Sequence, residues 1–237
     1  MISIVTVSPA RNIYEQVKWK CKAYSSMFST VLIVYVLLAL LTGGMGGSIG
    51  RGRGFVNYKE QFYSLDGFFI YTVVMMLILG WMLASKSLSA ENFSIVTTNR
   101  TEVISTALFL VVLCLFTLVA AVSTLCISVI INILRTGDLF MFYSSQFSVG
   151  TFIGFVVCSL LAASIGYFVH AIFDFSKIVF ALLCVGFFIV VRQYTINLWG
   201  IIFGGDSLSI IGRSALYIVA LWLLILFIRQ RREVTRT

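Results

Sequence analysis

Proline is nearly absent from the chain: 237 residues contain one, Pro9. Charged residues make up only 11%, against about a quarter in soluble domains. There are nine acidic residues and a single histidine, His170. These shortages exclude whole classes of chemistry. With one histidine the chain has no His-Glu-x-x-His metalloprotease motif, and no Gly-x-Ser-Gly surrounds a candidate serine nucleophile. No span carries the paired carboxylates that a glutamate-dependent intramembrane protease would need. No Gly-Lys is followed by Ser or Thr, so the lysine of a phosphate-binding loop is missing. The five cysteines (Cys21, Cys114, Cys126, Cys158, Cys184) fall in apolar or near-membrane sequence and imply no disulfide or metal framework. No enzymatic activity, cofactor or metal site is expected in this chain.

What fills the sequence is apolar: 60% hydrophobic residues, 21 of them phenylalanine, and a mean hydropathy of +1.04. This composition predicts an integral membrane protein, and because lipid cannot hydrogen-bond a bare backbone, each crossing segment should be a helix. The predicted fold is all-α and polytopic, one membrane domain over residues 1–237. Six spans are expected, at about 24–42, 68–83, 103–134, 147–173, 178–198 and 214–228. The first is 19 residues, roughly 28 Å at about 1.5 Å per residue, close to the hydrocarbon thickness. No cleavable signal peptide is expected, because some 23 residues with helical character precede the first span.

The net charge of +8 does not point to nucleic acid, since the cations flank apolar runs instead of forming a soluble basic patch. With both termini inside, the cytoplasmic side carries Arg11, Lys18, Lys20, Lys22, Lys86, Arg100, Lys177, Arg229, Arg231, Arg232 and Arg236. The opposite side carries only Arg51, Arg53, Lys59, Arg135, Arg192 and Arg213. Eleven against six sets the expected orientation, with both termini cytoplasmic. Gly43 to Gly54 ("GGMGGSIGRGRG") then faces outward, away from ATP. It reads as a flexible loop whose GxxxG-spaced glycines also permit close helix approach, with a gate or substrate-exit role as the alternative.

Four segments stand out as functional. Ser8 to Tyr24 reads as an amphipathic elbow helix (8–23) in the inner headgroup layer, capped by Ser8 with Pro9 in its first turn. Ile13, Tyr14, Val17, Cys21 and Tyr24 form its apolar face, Arg11, Glu15, Lys18 and Lys22 the other, and Trp19 marks the interface. It serves either as a passive anchor or as an elbow that passes on a partner's movement. Ser85 to Thr106 should hold a short cytoplasmic helix, 89–100, capped by Ser89, with Glu91 in its first turn, Phe93 and Val96 as its apolar edge, and Thr98 and Arg100 at its end. An ordinary loop is the alternative. Trp199 to Gly212, broken near Phe203 by Gly204 and Gly205, reads as an outward re-entrant segment and possible outer gate, or as a plain loop. His170, Asp174 and Lys177 gather at the inner end of the fourth span, as an interfacial polar cluster or a proton relay. Asn132 and Asn197, near outer ends, should bond across helices.

This order of parts resembles the permease subunit of an ATP-binding-cassette exporter of the ABC-2 type. The local likeness is "AENFSIVTTNRTEVISTALF", in which Glu91, Thr97, Thr98 and Arg100 match a Glu, a small residue or Thr, and a short turn ending in Arg before a long third helix. The residue commonly found before that arginine is proline, and here Asn99 stands in its vicinity. The resemblance implies a second permease subunit, the same chain or a different one, and a separate cytosolic ATPase, two copies per transporter, that binds ATP and Mg. Residues 89–100 would dock in that ATPase as a coupling helix. The aromatic spans suit an amphipathic cargo such as a peptide, an antibiotic or a lipid-like molecule. The rival readings are a six-span vitamin-uptake subunit and a channel or lipid scramblase.

Overall fold

The computed structural model describes residues 9–42, 46–53, 56–63, 66–85, 99–136, 148–194 and 207–234. Among these residues it contains seven helices and one two-stranded sheet. The helices are α1 (Pro9–Ala23), α2 (Ser25–Thr42), α3 (Asp66–Leu83), α4 (Asn99–Thr136), α5 (Val149–Phe175), α6 (Lys177–Tyr194) and α7 (Ser207–Val234). Between α2 and α3 lies the antiparallel hairpin β1 (Gly46–Arg53) and β2 (Val56–Tyr63).

Three helical stretches are long and apolar enough to cross a bilayer on their own: Arg100–Ile131 in α4, Val149–Phe175 in α5 and Ser209–Arg229 in α7. A fourth arises if α1 and α2, bent by 51° at Tyr24, are taken as one broken span. Gly67–Leu83 in α3 and Lys177–Gly186 in α6 are apolar but shorter. The chain is thus a helical membrane protein, with three to four spans evident by length and composition among the described residues.

Helix α5 is the centre of the bundle, packed against α3, α4, α6 and α7. Ser148 begins it by accepting a hydrogen bond from the Thr151 backbone N–H at 3.1 Å, which satisfies one of the four free amides of a helix start. Ser176 ends it in extended conformation, its N–H still bonded to Ile172 O, and the chain restarts as α6. Where α3 meets α5 the backbones touch: a Cβ on Gly80 would lie 2.1 Å from the Ala163 carbonyl oxygen, and one on Gly166 would lie 2.0 Å from that of Leu77. Only glycine allows this approach, the usual device for close helix contact where lipid gives no hydrophobic drive to association.

The contacts also fix direction. Trp19 packs on Tyr24, and Tyr24 and Phe28 meet Phe109, with Phe28 also on Phe116, so α1 and α2 run alongside α4. Phe69 meets Phe155 and Trp81 meets His170, so α3 and α5 run parallel. Tyr35 and Thr72 share a buried hydrogen bond between α2 and α3. Lys20, Glu102, His170 and Arg229 consequently lie toward one end of the bundle, which α1 and α7 both reach.

Two sequence expectations change here. The glycine-rich Gly43–Gly54 stretch, expected as a flexible loop, contributes Gly46–Arg53 to a hairpin strand paired from Gly46↔Tyr63 to Arg53↔Val56. Glycine weakens strands, which hid the pairing; the partner strand, "VNYKEQFY", supplies the stronger strand formers. The last described helix starts at Ser207, so residues 207–212, expected in the re-entrant segment, are continuous with the helix that carries the span expected from 214. The outer-gate residues Phe203, Gly204 and Gly205 lie outside the described residues, as does Asn197.

Candidate functional site

Among the described residues the densest polar construction is a joint among α1, α4 and α7. Lys20, on the last turn of α1, is 3% exposed. Its ammonium donates to Thr106 Oγ1 at 2.6 Å, Ser105 Oγ at 2.9 Å and the Glu102 carbonyl oxygen at 3.3 Å, so its three protons meet three acceptors. The same carbonyl accepts from the Ser105 and Thr106 hydroxyls, which orients both toward the lysine. Burial lowers the Lys20 pKa to about 8; Glu102 acts against that shift and Arg229 adds to it.

The Glu102 carboxylate meets Arg229 of α7, Oε1 to Nη1 at 2.8 Å, with both side chains mostly buried. Glu102 sits in the first turn of α4, where the helix dipole favours an anion, and Lys20 in the last turn of α1, where it favours a cation. Arg229 lies over the Tyr167 ring at 5.6 Å, and Tyr167 stacks on Trp222 at 5.4 Å. Trp222 donates to Ser164 Oγ at 3.0 Å. Three helices are thus tied through one glutamate and a fourth, α5, through an aromatic ladder.

Beside the joint is a small cavity of about 20 Å³, lined by Ala84, Ala171, Asp174, Phe175, Ile228 and Arg229. That is room for about one water. Among the described residues no group of three or more His, Cys, Asp or Glu could hold a metal ion.

The expected sites fall as follows. Pro9–Ala23 is helical as predicted for the elbow, but its roll differs from the apolar-face reading. Gln16, Lys20 and Tyr24, four residues apart, are the fully buried positions, while Tyr14 is 65% exposed. Val17 and Trp19 are half-buried and Lys18 is exposed. The turn is explained by the joint: α4 offers Lys20 three acceptors, and satisfying a buried ammonium outweighs burying one more tyrosine. Arg100 is exposed in the first turn of α4, continuous with the long helix rather than ending a separate one. Ser89, Glu91, Phe93, Val96 and Thr98 lie outside the described residues.

The expected polar cluster is distributed over two helices. His170 is buried edge-on against Trp81 at 4.9 Å, Asp174 lines the cavity with Arg229, and Lys177 begins α6, its ammonium 6.0 Å from the Phe173 ring centre. In the sequence, Lys20 and Arg229 counted only as markers of sidedness. Their usable signal was the Gln16, Lys20, Tyr24 periodicity together with hydroxyls three and four residues beyond Glu102.

No family model, curated protein or solved structure matches the chain.

Proposed function

We propose that this chain is the membrane-spanning permease subunit of an ATP-binding-cassette exporter, ABC-2 type, with six spans, both termini cytoplasmic, and no catalytic role of its own. A separate ATPase subunit binds ATP and Mg and docks on residues 89–100. The exported cargo is amphipathic: a peptide, an antibiotic or a lipid-like molecule. Two permease subunits, identical or different, enclose the pathway in a bacterial plasma membrane.

The observation that supports this reading best is the attachment of α1 and α7 to the first turn of α4, immediately after the connection that would meet the ATPase. A push on that connection reaches Glu102 within one turn. From there it passes to α1 through Lys20 and to α7 through Arg229, moving helices as rigid bodies. A passive anchor would have no need to share a buried glutamate with the last helix.

The test is association and sidedness. The reading predicts an adjacent gene for a cassette ATPase, whose product, co-expressed with the chain, should co-purify with it, and Glu91→Lys or Phe93→Asp should release that ATPase while the chain stays in the membrane. A thiol introduced by Ser94→Cys should resist impermeant reagents added to intact cells. Labelling from outside, or unchanged association of both variants, would overturn the assignment.

A further inference from the structure

The buried side of α1 fixes what its other side presents. Gln16, Lys20 and Tyr24 face the bundle. Arg11, Glu15, Lys18 and Lys22, spaced by four, three and four residues, lie on the opposite side of the helix, all exposed. With Lys20 committed to α4, this outward face carries three cations and one anion. Tyr14 and the half-buried Val17 and Cys21 form an apolar and aromatic strip along one flank of it.

Position supplies the partner's identity. Helix α2 follows at a 51° bend, and its Leu32, Ile33, Val36, Leu37, Leu40 and Leu41 are exposed apolar side chains. A surface of that kind is covered by acyl chains, so α1 leaves the hydrocarbon at the level of the phosphates. A basic face with a tyrosine-bearing apolar flank at that depth complements a negatively charged headgroup: cations to the phosphates, Tyr14 to the glycerol and upper acyl region. Lys18 and Lys22 are one turn apart, about 6 Å, suited to one phosphodiester between them.

We propose that the outward face of α1 is a binding surface for anionic phospholipid headgroups, with Arg11, Lys18 and Lys22 as its cations. It holds whether or not the chain works with an ATPase, because it depends only on α1 lying at a membrane surface.

The test uses the full chain in nanodiscs of equal phosphatidylglycerol and phosphatidylcholine, extracted gently, with retained lipid counted by mass spectrometry. The wild type should retain phosphatidylglycerol in excess. Arg11→Gln, Lys18→Gln and Lys22→Gln together should lower that excess roughly fivefold or more. Arg11→Lys, Lys18→Arg and Lys22→Arg together should keep it, and Arg192→Gln, an exposed cation on α6, should leave it unchanged. Glu15→Gln, which only removes the repelling carboxylate, should raise it, and this decides the matter if the triple glutamine variant fails to fold. Retention matching the bilayer composition in the wild type, an excess that survives the triple glutamine variant, or no rise with Glu15→Gln would overturn the proposal.

Discussion

Helices α3 and α5 touch through their backbones, whereas α1, α4 and α7 are held together by long charged side chains that span the gap between them. The first contact has no slack: the nearest atoms to each glycine are carbonyls of the facing helix. The second is built from a lysine, a glutamate and an arginine whose polar ends can exchange partners with water once separated. The two contacts therefore differ in kind, a backbone seam between α3 and α5 against a polar joint among α1, α4 and α7.

Substitutions can break or sharpen that contrast. The largest effect should come from Glu102→Ala, which strands Arg229 in a mostly buried setting and costs about 3 kcal/mol. Thermal unfolding in detergent should show it, and Glu102→Met with Arg229→Met should cost less than Glu102→Met alone, because the stranded charge is then gone. Next, Gly80→Ala or Gly166→Ala should cost about 2 kcal/mol each by wedging α3 from α5, without any pairing variant to relieve it. A rescue there by a charge change, or a tolerated Gly80→Val, would erase the distinction. Tyr35→Phe, which removes the buried bond to Thr72, should cost about 0.6 kcal/mol, since Thr72 retains its bond to the Phe68 carbonyl at 2.6 Å. Smallest is Gly154→Ala: nothing lies within 4 Å of the added Cβ, so helix propensity alone acts and stability rises by about 0.5 kcal/mol or less.

The helical character of the chain was legible because composition and run length report directly on the solvent around each segment. The stretch 103–134 was already read as one long helix, and α4 extends it only to Asn99 at one end and Thr136 at the other. The elbow was legible as a helix and not in its roll, because periodicity ranks side chains by polarity and cannot know that Ser105, Thr106 and the Glu102 carbonyl await Lys20. Arg229 was counted as a marker of sidedness for the same reason: an ion pair between residues 102 and 229 leaves no local pattern. His170 and Asp174 were read at the inner end of one span with Lys177 following it, and the structure has both on α5 with Lys177 opening α6 just beyond Ser176, because spans of 147–173 and 178–198 already left a break between them.

Helix α4 has 38 residues, roughly 57 Å at about 1.5 Å each, nearly twice the hydrocarbon thickness of about 30 Å. Even strong inclination cannot hide such a rod, so it must project into water at one end or both. Pivoting about its midpoint by about 10° would sweep each tip through about 5 Å. Glu102 rides near one tip, so leverage alone would turn a slight rotation at the fulcrum into a stroke long enough to pull an ion pair open.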